Sequence, residues 1–184
     1  RRTAHRIRGR VELWSGNPSA AAVCFAKGET AADAAGWREP NLCWWRADYV
    51  EALLELDRAE EAVALLDAWE EDATRVGRTW VLAHIARCRG LVAAARGDVD
   101  DALGALAAAV EKHDAVEDSF GGARALLALG LVRRRARQKR SAREAIESAL
   151  VRFETLGAAG WAVKARAELG RIGGRTRVEG LSAA

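Results

Sequence analysis

The chain has 184 residues, of which 50% are hydrophobic and 30% charged, enough for one domain with a core and too apolar for a disordered segment. Its net charge of +3 is small, and the absence of a run of about 18 apolar residues or a signal-peptide pattern argues against membrane insertion and secretion. Cys24, Cys43 and Cys88 form no Cys-x-x-Cys pair, which fits a reducing, cytoplasmic compartment.

Only two prolines interrupt a sequence rich in Ala, Leu, Arg and Glu, so helix is expected almost throughout. A first helix spans Arg1 to Trp14, with Ile7, Val11 and Trp14 on one face. Asn17-Pro18 breaks it, and Pro18 suits the first turn of a second helix over Ser19 to Ala35. Its many alanines allow close packing. A connector, Gly36 to Asn41, leads to a third helix from Leu42 to Leu56, burying Trp45, Tyr49 and Leu53. A fourth, Ala59 to Val76, turns Ala62, Leu66, Trp69, Ala73 and Val76 inward and closes at Gly77.

The clearest stretch is Trp80 to His113, a helical hairpin folded over Arg96-Gly97-Asp98. Val81, Ile85, Cys88, Val92 and Ala95 recur at helical spacing, and so do Leu103, Leu106, Val110 and His113. Gly97 suits the left-handed residue that ends a helix, and Asp98 is placed to cap the next one through its side chain. His113 falls at a core position and reads as a packed histidine with one hydrogen bond. A seventh helix, Ser119 to Arg137, buries Ala123, Leu127 and Gly130. Ser141 with Glu144 has capping-box spacing and opens an eighth, which runs through Ala145, Ala149, Phe153 and Leu156. A ninth carries Trp161, Ala165, Leu169 and Ile172.

The second helices share a phrase: RAEEA ends at Ala62, DVDDA at Ala102 and SAREA at Ala145, intervals of 40 and 43 residues. This exceeds the ~34 residues of the tetratricopeptide repeat but is a helix-pair period. A single hairpin cannot bury its apolar stripes, so the pairs must stack. The expected fold is all-α, an α-solenoid of tetratricopeptide-like hairpins with about nine helices over residues 1–174, followed by a linker, 175–184.

The stretches WVLAHIARCRGLVAAARGDVDDAL, ARALLALGLVRRRARQKRSAREAIESALVRFETLGA and WAVKARAELGRIGGR resemble the helical-repeat region of the large LuxR-type ATP-binding transcriptional regulators, the MalT-like class. The resemblance covers roughly Trp44 to Ala184. In that family a nucleotide-binding domain precedes the solenoid and a helix-turn-helix domain follows it. Gly173-Gly174-Arg175 followed by Leu181-Ser182 is similar to the family's approach to its DNA-binding domain. The resemblance therefore implies a piece of a longer regulator, touching DNA only through a C-terminal domain outside this sequence.

No G-x-x-x-x-G-K-[ST] occurs, and Ala26-Lys27-Gly28-Glu29-Thr30 does not replace it. No nucleophile–base arrangement or paired carboxylates stand out, so the chain reads as non-enzymatic, with no cofactor. His84 and Cys88, four apart on one helix, are weighed as metal ligands; Cys88 reads as core with His84 flanking it, and no metal site is assigned. The seven tryptophans read mostly as wedges between helices. Trp80, His84 and Arg87 make a second stripe on the fifth helix, and Arg124 on the next first helix reaches the same side. Together they are candidate ligand-binding residues in a concave groove, suited to an anionic small molecule or a peptide.

Charge is uneven. From Ala47 to Asp118 there are 17 acidic and 7 basic residues; from Arg133 onward there are 13 basic and 5 acidic. The run Arg133 to Arg140 is a candidate nucleic-acid contact, set against cations at the negative end of a helix. The expected function is an effector-sensing, regulatory helical-repeat domain of a LuxR-type regulator. It would bind a small-molecule or protein effector, couple it to the neighbouring domains and promote self-association. The alternative is a plain protein-interaction scaffold.

Overall fold

The computed structural model describes residues 2–172, with side chains from residue 4 onward; the expected linker, 175–184, lies outside the described residues. Nine α-helices lie among the described residues: α1 (Arg2–Trp14), α2 (Pro18–Ala34), α3 (Arg46–Glu55), α4 (Ala59–Arg75), α5 (Thr79–Arg96), α6 (Val99–Ala115), α7 (Ser119–Arg135), α8 (Lys139–Thr155) and α9 (Ala159–Ile172). A short 3₁₀ turn, Pro40–Cys43, precedes α3. The third helix is thus shorter than its apolar pattern suggests, its expected first residues Leu42 and Cys43 belonging to that turn instead.

The repeat is more regular than the sequence phrases imply. Helices α4, α6 and α8 start at residues 59, 99 and 139, and α5, α7 and α9 at 79, 119 and 159. Both series advance by 40. The turns keep the same beat: Gly77, Gly97, Glu117, Arg137 and Gly157 all have positive φ, one every twenty residues. Gly97, at φ 87°, ends α5 as expected.

Three expectations at the helix starts change accordingly. The residue equivalent to Ala62 and Ala102 is Ala142, not Ala145, since all three are the fourth residue of their helices and fully buried. Ser141 does not cap α8, which has already begun at Lys139; its Oγ donates to the Gln138 carbonyl. The αL turn at Arg137 moves the helix start two residues ahead of the Ser-x-x-Glu signal. Asp98 stands at the N-cap of α6, but its side chain accepts no capping hydrogen bond.

Sequential helices pack antiparallel, and the core runs as a spine between them. Ala62, Leu66, Trp69, Ala73, Val81, Ile85 and Cys88 fill the α3–α5 region, and Ala142, Ile146, Ala149, Phe153 and Ala165 fill the α7–α9 region. Close approach depends on helix glycines: a Cβ on Gly90 would sit 2.6 Å from Leu106 Cγ, and one on Gly130 would sit 2.4 Å from Ile146 Cγ1. These two pairs are also forty residues apart.

The odd-numbered helices line the inside of the superhelix, and it curls far enough for its ends to meet. The Trp14 ring of α1 packs edge-on against Trp161 of α9 at 5.5 Å, and against Phe120 of α7 at 6.2 Å. Ile7 and Val11, expected on the shared face of α1, are more than half exposed; Arg6, Gly9 and Leu13 are the buried residues of that helix among those described. Only Trp45 and Trp69 are completely buried. Most other indoles keep an edge in solvent, because they sit on or beside the inner helices. No helix among the described residues is long and apolar enough to cross a membrane.

Candidate functional site

The inner face is crossed by a charged network whose members come from four helices. Asp48 of α3, with no solvent exposure, accepts from Arg10 of α1 at 2.7 Å and from Arg124 of α7 at 2.8 Å. Glu51, one helical turn on, accepts from Arg124 at 2.6 Å and from Arg87 of α5. Arg124 also lies 5.0 Å from the centre of the Trp161 ring. The Arg10 guanidinium covers Trp44 at 4.1 Å, and Arg6 is clasped between Trp37 and Trp45 at 4.5 and 4.4 Å.

Burial opposes ionisation of both carboxyls, but the guanidiniums prevail. Arg124 and Arg10 hold Asp48 below the usual carboxylate range, and Arg124 and Arg87 do the same for Glu51. Arg124, despite its own burial, is pushed further up by Glu51 and Asp48. Buried ions with partners on each side are tolerated where lone ones are not. The pairing is incomplete, however. Arg87 Nε and Nη2 and Arg124 Nε are buried and have no partner among the described residues.

Against this network lies a cavity of about 470 Å³, walled by Leu54, Leu91, Leu127 and Leu131 and by Glu51, Arg87 and Arg124. Arg135, Lys164, Trp161 and Glu55 also line it. A second cavity of about 400 Å³ adjoins it beneath Leu13 and Trp14 and shares Glu51, Glu55, Trp161 and Lys164 with the first. Burial raises the Glu55 carboxyl, with Lys164 working against that rise.

The four residues singled out in the sequence divide into two pairs. Arg87 and Arg124 converge on Glu51 and line the larger cavity. Trp80 and His84 do not line it. The His84 ring lies 4.2 Å from Trp80 and 4.7 Å from His113, and its Nε2 is 3.1 Å from Asp118 Oδ2. Burial pushes His84 down to about 4, despite the pull of the Asp118 carboxylate. Burial also opposes ionisation of Asp118, yet the His113 and His84 contacts and the Gly121 N–H keep it below its usual value. Cys88 is on another face, with its Sγ 3.8 Å from the Ala47 carbonyl and its thiol pushed by burial up to about 11.

Asp48, Glu51 and Glu55 escape a sequence reading because acids beside apolar residues look like a solvated edge. Lys164 was within reach. His84, Arg124 and Lys164 are spaced by forty residues, the helix repeat, so they occupy equivalent places on α5, α7 and α9. The basic run is partly spoken for: Arg134 pairs with Glu168 at 3.2 Å, Arg140 with Glu144 at 3.0 Å, and Arg133 donates to the Ser141 carbonyl.

No protein-family model matches the chain, and no curated protein is similar enough to it to count as a match.

Proposed function

We propose that the chain is a non-catalytic, effector-sensing solenoid of a LuxR-type ATP-binding regulator, and that its effector is a small amphipathic anion held in the inner cavity. The carrying observation is Glu51: its carboxylate occupies two arginines at the wall of an apolar cavity, the place an anionic ligand would take. A volume of about 470 Å³ suits a small molecule rather than a folded peptide. Leucines would cover the apolar part, and Arg135 and Lys164 would draw the charge inward.

Displacing Glu51 from Arg87 and Arg124 would loosen α3 against α5 and α7, leaving Asp48 as the remaining carboxylate on Arg124. An effector that binds the loosened form better shifts the population toward it, and that shift is the signal passed to neighbouring domains. The test is titration of the tryptophan fluorescence with a panel of amphipathic carboxylates. Glu51→Gln removes the internal competitor and tightens binding, and Lys164→Ala with Arg135→Ala weakens it. In the protein with its flanking domains, the same ligand changes the state of self-association. Saturable binding with no change in assembly favours a scaffold that only docks a partner, and no saturable binding by any carboxylate removes the cavity as the effector site.

A further inference from the structure

The cleft where α5, α6 and α7 meet holds a polar cluster that the cavity does not use. His84 of α5, His113 of α6 and Asp118 at the N-cap of α7 each offer one ligand atom between the helices, and these atoms lie within 4.8 Å of one another. Asp118 Oδ2 is 3.1 Å from both His113 Nδ1 and His84 Nε2. The first of these is an aligned hydrogen bond, whereas the second is not, so the buried His84 has neither nitrogen satisfied among the described residues. His113 is fully buried and its Nε2 is likewise without a partner.

The repeat shows how unusual this corner is. The positions forty residues before and after His113 are Ala73 and Phe153, both buried and apolar. The positions facing them are Val81 and Trp161, and Phe153 stacks on Trp161 at 5.6 Å. Opposite His113 the chain places Gly121 instead. A Cβ there would lie 2.3 Å from His113 Nδ1 and 2.4 Å from Asp118 Oδ2. One repeat thus replaces a dry apolar contact with an imidazole, and omits the side chain that would fill the space beside it.

We propose that His84 Nε2, His113 Nδ1 and Asp118 Oδ2 bind one divalent transition-metal ion of the zinc class. Two imidazoles and one carboxylate suit zinc and its first-row neighbours and are a poor set for calcium or magnesium, which prefer oxygen alone. Tetrahedral bonds of zinc place ligand atoms about 3.4 Å apart. The two 3.1 Å separations are close to this, and the two imidazole nitrogens, within 4.8 Å of each other, would draw together on the ion. Asp118 is steadied from behind, since its Oδ1 accepts from the Gly121 N–H at 2.8 Å. The ion ties three consecutive helices together at mid-chain, independently of any effector in the cavity.

The probe is the metal alone, added to untagged, chelator-treated full chain. Co(II) gives visible d–d absorption that saturates at one equivalent, and Zn(II) displaces it and raises the melting temperature reversibly. His84→Ala and Asp118→Asn each weaken binding by at least about tenfold, while Cys88→Ala leaves it unchanged. Asp118→Asn keeps an acceptor for the Gly121 N–H, and melting without metal shows that each variant folds. The proposal is overturned if the wild-type chain takes up no stoichiometric metal, if the two ligand variants bind as well as it does, or if Cys88→Ala abolishes binding. Any of these leaves the cluster a hydrogen-bonded aspartate–histidine corner.

Discussion

At the scale of single residues the decisive groups are Asp48, Glu51 and Arg124. Arg124→Ala leaves Asp48 with Arg10 alone and Glu51 with Arg87 alone, and should lower stability by about 1–3 kcal/mol in urea unfolding, less than a wholly unpaired buried ion would cost. The pH dependence follows from the same contacts. Both carboxyls are held below their ordinary values in the folded chain, so their contribution is present at neutral pH. It is lost as pH falls below about 4, where the unfolded chain takes up protons first. Thermal melts at descending pH should show that loss in the wild type and a smaller one in Asp48→Asn. Arg124 was legible in the sequence, but its acidic partners were not. Hydrophobic periodicity marks what is apolar and buried, and says nothing of an acid whose partners come from helices 38 and 76 residues away.

At the scale of helices, the beat of twenty residues governs. Its turns require a left-handed residue, and the chain meets that demand with glycine at Gly77, Gly97 and Gly157 but with Asp57, Glu117 and Arg137 at the others. Arg137→Gly relieves a conformation that a Cβ disfavours, and should stabilise the chain by about 1 kcal/mol; Gly97→Ala should cost a similar amount. Chemical denaturation resolves both. Gly130→Ala acts differently, because its Cβ meets Ile146 and the Ala142 carbonyl, so overpacking of about 1–3 kcal/mol is expected. The helices themselves were readable from period and punctuation. So were the starts at Ala59 and Val99; the start at Lys139 was not, since a local capping phrase at Ser141 competes with the turn that really sets the register. The arginines of the inner stripe were found, and their shared partner was not, because α3 lies one repeat before Arg87 and two before Arg124.

At the scale of the whole molecule, the superhelix curls until α1 and α9 touch through Trp14 and Trp161. That contact is partly exposed and small beside the spine of the core. Trp14→Ala should therefore change stability little while letting the ends part, seen as a larger radius of gyration in solution scattering. A stacked array was foreseeable from incomplete hairpins, but its curvature was not. Curvature depends on which inner side chains are small, which are indoles, and how the arginines bridge them.

Two indole rings set edge to face at 5.5 Å form an electronically coupled pair. The chain therefore carries its own optical gauge: the near-ultraviolet circular dichroism lost in Trp14→Ala, set apart from the similar Trp44–Trp45 pair, reports with no attached dye whether the two extremities are touching.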